Sequence, residues 1–267
     1  MPDATINGIK LHYEEYGPAA GLPVILLHAF PVRGALWEDQ AQALATEIVS
    51  HVIVPDLRGF GASDAPAGPY PMDLLARDVL ALADHLNLPR FVLGGLSMGG
   101  YIAFAVLRLA GERLRGLILA DTRAGADSDD GRAGRESVAQ LAEREGAGAV
   151  ADLMLPRLLS AAGLMNPAIA GTVRGWITAN QPTGIAGASR GMALRPDSTD
   201  LLGRIACPTL VICGDQDTTT PIYEARAMFD AIPDATLEIM TNAAHLSNLE
   251  APEAFDMTLV HFARGLA

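Results

Sequence analysis

Short apolar runs recur along the chain without alternating: Val24-Ile25-Leu26-Leu27, Val52-Ile53-Val54, Phe91-Val92-Leu93, Leu117-Ile118-Leu119 and Leu210-Val211-Ile212. Each is bounded by Gly, Pro or charge, which fits parallel strands buried on both faces. The chain opens differently. Thr5-Ile6 and Ile9-Lys10-Leu11-His12-Tyr13 flank Asn7-Gly8, a pair that favours a two-residue hairpin turn. Helical periodicity lies between the later strands. Leu74, Leu75, Val79, Leu82 and Leu86 share one face over 72–86, and a second helix is expected from Met98 to Leu109. Pro221 and Pro252 suit the first turns of two more, ending near Ala231 and Ala263. Thr236-Leu237-Glu238-Ile239-Met240 reads as a final strand. This alternation predicts an α/β fold: a mostly parallel central sheet with helices on both faces.

Residues 122–203 break the pattern. They hold no β-like run, and Gly and Pro divide them into helical segments at 134–146, 147–160, 167–179 and 184–194. The expected organisation is therefore a core of 1–121 and 204–267 with a helical lid, 122–203, inserted between two strands. The insertion would leave the carboxyl end of the Leu117–Leu119 strand, the edge where α/β sheets bind ligands.

Composition narrows the chemistry. The chain has 267 residues, half of them hydrophobic, and a net charge of −12. That charge repels phosphate backbones and anionic lipid, so neither nucleic acid nor a membrane surface is an expected partner. Lys10 is the only lysine and sits in a strand-like stretch without a Gly-rich loop, which sets aside Schiff-base and phosphate-loop mechanisms. Cys207 and Cys213 stand six positions apart along an extended segment. That separation spans roughly 20 Å, far beyond the ~7 Å limit of a disulfide. Both read as buried apolar residues of a cytoplasmic protein. Met1-Pro2-Asp3-Ala4-Thr5 has neither a basic nor an apolar region, so it is not expected to act as a secretory signal. The uncharged stretch Phe91–Leu107 is at the short limit for a bilayer and changes midway from strand-like to helical. No His-Glu-x-x-His or Cys-x-x-Cys spacing appears, so no metal is expected.

The most informative residues are Gly95-Leu96-Ser97-Met98-Gly99. A serine between a buried strand and a helix, flanked by glycines, matches a nucleophile elbow. A serine hydroxyl is a weak nucleophile, so it needs a base, and the base needs an orienting acid. In this architecture the chain order is Ser, acid, His. Only His245 and His261 follow Ser97. His261 falls within the last helix, whereas His245 falls in a loop after the last strand, so His245 is the expected base. Asp217 in Gly214-Asp215-Gln216-Asp217 is the favoured acid, with Asp215 and Asp121 as alternatives, each at a strand's carboxyl end.

Taken together, several stretches resemble the α/β-hydrolase superfamily over essentially the whole chain. They are Leu27-His28-Ala29-Phe30-Pro31 with Trp37, Asp56-Leu57-Arg58-Gly59-Phe60-Gly61-Ala62-Ser63, the Ser97 elbow, Gly214-Asp215-Gln216-Asp217 with Pro221, and His245. Within it the chain is similar to bacterial carboxylesterases and lactonases, a group that includes cofactor-free haloperoxidases (perhydrolases) and 3-oxoadipate enol-lactonases. The resemblance supports Asp217 as the acid. It implies an oxyanion hole from the backbone N–H groups of Phe30 and Met98. Ala29 departs from the glycine usual there, and a positive φ at that position would cost an alanine about 1 kcal/mol. Trp37, Arg123 and Trp176 are weaker candidates for substrate contact. Arg123 competes with a salt-bridge role, Trp176 with packing of the lid, and Asp56–Gly59 reads first as loop support.

The expected activity is therefore cofactor-independent hydrolysis of small carboxylic esters or lactones through an acyl-enzyme. Perhydrolysis and enol-lactone opening are alternatives within the group, Pro31 being the feature that resembles perhydrolases. A ligand receptor on a hydrolase scaffold is the alternative from another class. A dehalogenase would need a carboxylate where Ser97 stands. A homo-oligomer is compatible with this reading.

Overall fold

The computed structural model describes residues 2–266. Asn7 and Gly8 take left-handed φ of 47° and 78°, closing the hairpin between β1 (Asp3–Ile6) and β2 (Ile9–Tyr16). The apolar runs become β3 (Leu22–Leu27), β4 (Ser50–Pro55), β5 (Phe91–Leu96), β6 (Leu114–Ala120) and β7 (Thr209–Gly214). β8 (Ala235–Met240) completes an eight-stranded sheet of order β1-β2-β4-β3-β5-β6-β7-β8. β1 and β2 run antiparallel, and every pairing from β4 through β8 is parallel. Every residue of β4, β5 and β7 is buried, the sequence signature of strands covered on both faces. β8, at the edge, alternates in exposure.

Helices α1 (Glu38–Glu47), α2 (Met72–His85) and α3 (Met98–Ala110) precede β6. α1 lies outside the expected set. It buries only Gln40, Ala41 and Leu44, so a single large apolar side chain marks its inner face, too few to show a hydrophobic period. Gln40 donates to Asp256 at 2.7 Å and accepts from Asn248 at 2.9 Å.

Between β6 and β7 the described chain is helical: α4 (Asp129–Leu158), α5 (Ala161–Met165), α6 (Pro167–Thr178), α7 (Pro182–Ala193) and α8 (Thr199–Leu202). α4 breaks at Gly146, φ 83°, where two helices had been expected to meet. It starts five residues before the expected 134 because Ser128 caps it, its hydroxyl accepting from the Gly131 N–H at 3.1 Å. α7 begins with Pro182 in its first turn. After β7 come α9 (Ile222–Ala231), α10 (Ser247–Glu250) and α11 (Pro252–Arg264). Both cysteines are free and buried. No helix among the described residues is long and apolar enough to cross a membrane.

Candidate active site

β5 delivers the chain directly into Ser97, whose φ of 54° and ψ of −108° depart from strand and helix alike. A turn this sharp brings backbone against backbone. A Cβ on Gly95 would lie 2.2 Å from the Gly99 carbonyl carbon, and one on Gly99 would lie 2.3 Å from the Leu27 carbonyl oxygen. Glycine is therefore required on both sides of the serine. A non-glycine residue held so costs on the order of 1–3 kcal/mol, and the surroundings enforce it. The Ser97 N–H donates to the Ala120 carbonyl at 2.9 Å, and the Thr122 hydroxyl donates to the Ser97 carbonyl at 2.8 Å.

The carboxyl ends of β7 and β8 carry the next two residues. Asp217 Oδ1 accepts from the Thr219 and Thr220 N–H groups at 2.7 and 3.0 Å. Its Oδ2 accepts from the Thr220 hydroxyl at 2.6 Å and from His245 Nδ1 at 2.8 Å. All four bonds act on an ionised carboxylate. Burial alone would push the Asp217 pKa up, but the His245 charge and these bonds hold it below the usual range. Burial would likewise lower the His245 pKa, and the Asp217 carboxylate raises it instead, with help from Asp121. With Nδ1–H committed to Asp217, the imidazole presents Nε2 as an acceptor. No hydrogen bond joins Ser97 Oγ to Nε2 among the described residues. Catalytic hydrogen bonds of free enzymes are often long and tighten on substrate.

The loop after β3 presents backbone donors. His28 is fully buried. Its Nδ1 donates to the Ala29 carbonyl at 2.8 Å, and its Nε2 accepts from the Leu57 N–H at 3.1 Å. The Ala29 carbonyl also accepts from the Val32 N–H at 3.2 Å. In a trans peptide C=O and N–H point oppositely, so this pair of bonds turns the Phe30 N–H away from them. Neither Phe30 N–H nor Met98 N–H donates to a protein acceptor among the described residues. Ala29 is absent from the positive-φ positions, so alanine carries no left-handed strain at the position where the resembled family usually has glycine.

A family model described as alpha/beta hydrolase fold matches residues 23–252. The chain belongs to the alpha/beta hydrolase family. It is 42% identical to a thermophilic esterase from Thermogutta terrifontis, whose malate-bound structure covers 99% of this chain and 98% of its own at a TM-score of 0.94. It is 31% identical to the enol-lactonase from Burkholderia xenovorans LB400, with 98% and 100% covered and a TM-score of 0.91. The curated 3-oxoadipate enol-lactonase 2 of Acinetobacter baylyi is 30% identical over 253 residues, 94% of this chain and 92% of that one. Family and relatives together support a hydrolase.

In this alpha/beta hydrolase the weaker candidates part company. Trp37 is fully buried, with its ring 5.9 Å from that of Phe255. Its ring packs within the hydrophobic core. Arg123 bonds Asp127 at 2.6 Å, an ion-pair partner that it shares with Arg135 and Arg195. Trp176 is half-buried on α6 against the hydrophobic core. Asp56 supports loops, accepting from the Gly34 and Ala62 N–H groups at 2.8 Å each. Arg58 pairs with Asp78 inside the fold at 2.7 Å.

Asp121, an alternative acid, makes no hydrogen bond to His245 among the described residues. Its carboxylate accepts from the Gly214 N–H at 2.8 Å and from the Ser247 hydroxyl. Burial, then the Asp217 charge, raises its pKa to about 7. Asp215 is exposed. Sequence reasoning missed Thr220 and Glu250. Glu250 accepts from the Ser160 N–H at 3.0 Å, the Ser160 hydroxyl at 2.6 Å and the Ala244 N–H at 2.8 Å. The end of α4 is thereby tied to the His245 loop, with the Leu246 N–H also donating to the Leu158 carbonyl at 3.0 Å. No local motif announces such contacts, because their partners lie far apart in the chain.

Proposed function

We propose that this hydrolase cleaves small carboxylic esters or lactones through an acyl-enzyme on Ser97. Ser97 Oγ attacks the carbonyl carbon, and its proton passes to His245 Nε2. Asp217 holds Nδ1–H and stabilises the imidazolium. The Phe30 and Met98 N–H groups receive the oxyanion of the tetrahedral intermediate. His245 then gives its proton to the leaving alkoxide, and water deprotonated by the same nitrogen releases the acid. For a lactone the alkoxide stays tethered to the acyl group. Side chains and backbone supply every step, so the scheme calls for no metal or cofactor.

The observation that carries this reading is the 2.8 Å bond from His245 Nδ1 to Asp217, made by a carboxylate whose other bonds fix its orientation. Esters and lactones are carried over from the relatives named as an esterase and enol-lactonases. The helices of 122–203 serve in this reading as a lid over the site. Steady-state assays on aryl esters and lactones of graded size test it. Ser97→Ala should lose on the order of 10⁶ in kcat while remaining folded. Activity near wild type in that variant, with contaminating esterase excluded, would overturn the proposal.

A further inference from the structure

Asn180 lies in the α6–α7 corner of the inserted helices and is buried, yet its side chain works outside that insertion. Its Oδ1 accepts from the Gly61 N–H at 2.8 Å, and its Nδ2 donates to the Pro31 carbonyl at 2.8 Å and the Val32 carbonyl at 3.3 Å. One donor facing two carbonyls and one acceptor facing an N–H leave a single sense for the amide.

The Pro31 carbonyl belongs to the same peptide unit as the Val32 N–H, and that N–H donates to the Ala29 carbonyl. The Ala29 carbonyl in turn shares its peptide unit with the Phe30 N–H. Two trans peptide units therefore run in line from Asn180 Nδ2 to the Phe30 N–H. Each carbonyl accepts from behind and each N–H points forward. Hydrogen bonds in such a chain polarise one another, so the terminal N–H is both aimed and strengthened as a donor. The corner that carries Asn180 is held tightly. A Cβ on Gly184, in the first turns of α7, would stand 1.8 Å from the Gly59 carbonyl oxygen, so α7 lies directly on the loop that also holds Gly61.

We infer that Asn180 is a positioning residue for the oxyanion hole, presenting the Phe30 N–H to the transition state through the Pro31–Val32 and Ala29–Phe30 peptides. This rests on the proposed role of Ser97. It assigns the inserted helices a part in building the catalytic centre as well as covering it. The effect belongs to the charged intermediate and should leave ground-state binding almost untouched.

The isosteric Asn180→Asp variant keeps the acceptor for Gly61 and turns a carboxylate oxygen towards the Pro31 and Val32 carbonyls. Its kcat should fall about 10- to 100-fold, as expected for a displaced oxyanion donor, with KM within about threefold of wild type. The inhibition constant of an aryl trifluoromethyl ketone should rise by the same factor as kcat/KM falls, because Ser97 adds to it and creates the same oxyanion. Asn180→Ala should follow the same pattern and serves if the aspartate variant does not fold. Asn166→Ala is the control. Asn166 caps α6 through the Ala168 and Ile169 N–H groups, so its loss should lower Tm and leave kcat unchanged. An unchanged kcat in both Asn180 variants, a loss confined to KM, or an equal kcat loss in Asn166→Ala would each overturn the inference. Equal ketone affinity in wild type and Ser97→Ala would instead overturn the role of Ser97.

Discussion

Replacing Asp217 by Asn tests the acid one atom at a time. Oδ1 of the wild-type carboxylate faces two backbone N–H groups. In the variant only the amide oxygen can take that place, since an NH₂ there would face two donors. The amide nitrogen is therefore forced to the Oδ2 position, against His245 Nδ1 and the Thr220 hydroxyl. Facing a donor, Nδ1 must become the acceptor, and the proton moves to Nε2. That tautomer cannot accept the Ser97 proton. The loss expected for a wrong tautomer is on the order of 10⁴ in kcat, about 5.5 kcal/mol at roughly 1.4 kcal/mol per decade. The fold should persist, because both threonine N–H groups keep an acceptor. Aryl-ester kinetics with a parallel thermal melt make the measurement. A loss below tenfold in a folded Asp217→Asn protein would refute the tautomer argument and with it the assignment of the acid.

Asp121→Asn should cost less than tenfold in kcat, since an amide can keep its oxygen on the Gly214 N–H and its nitrogen on the Ser247 hydroxyl; a loss as large as that of Asp217→Asn would move the acid to β6. The same variant changes the pH dependence of stability. Burial and Asp217 raise the Asp121 pKa to about 7, so its stability contribution is fully present below the unfolded value of ~3.9 and is lost as pH rises through about 7. The Tm of Asp121→Asn relative to wild type should therefore climb across that window, and a flat difference would contradict it. Asp127→Ala should destabilise the fold by about 3–5 kcal/mol in urea titration, because it leaves the buried Arg195 without its carboxylate; a change under 1 kcal/mol would show that the three-arginine cluster is dispensable. Trp176→Ala should lower Tm while the ester chain-length profile keeps its shape, and a changed profile would restore Trp176 as a substrate contact.

What could be read from the chain was what local chemistry encodes. Strands buried on both faces appear as apolar runs, the Asn7-Gly8 turn as a dipeptide, and the Ser97 elbow as glycines where backbone meets backbone. Chain order left His245 and His261 as candidate bases, and His261 is exposed. Asp217 and Asp215 differ in a way the motif does not print: one lies under Thr220 and His245, the other in solvent. That the Trp37 ring lies buried against Phe255 is likewise a tertiary fact with no local signal. Asn180, Thr220 and Glu250 stayed hidden for the same reason. Each is an ordinary polar residue in the sequence, and tertiary contact with Phe30's loop, Asp217 or His245's loop gives it meaning.

The central claim is a covalent acyl-enzyme on Ser97. Intact-protein mass spectrometry of a rapidly quenched aryl-ester turnover, followed by peptide mapping, tests it most directly. The account predicts a transient mass increase equal to the acyl group, located on Ser97 and absent from Ser97→Ala. Turnover without any adduct under conditions where acylation outruns release, or an adduct on another residue, would contradict it.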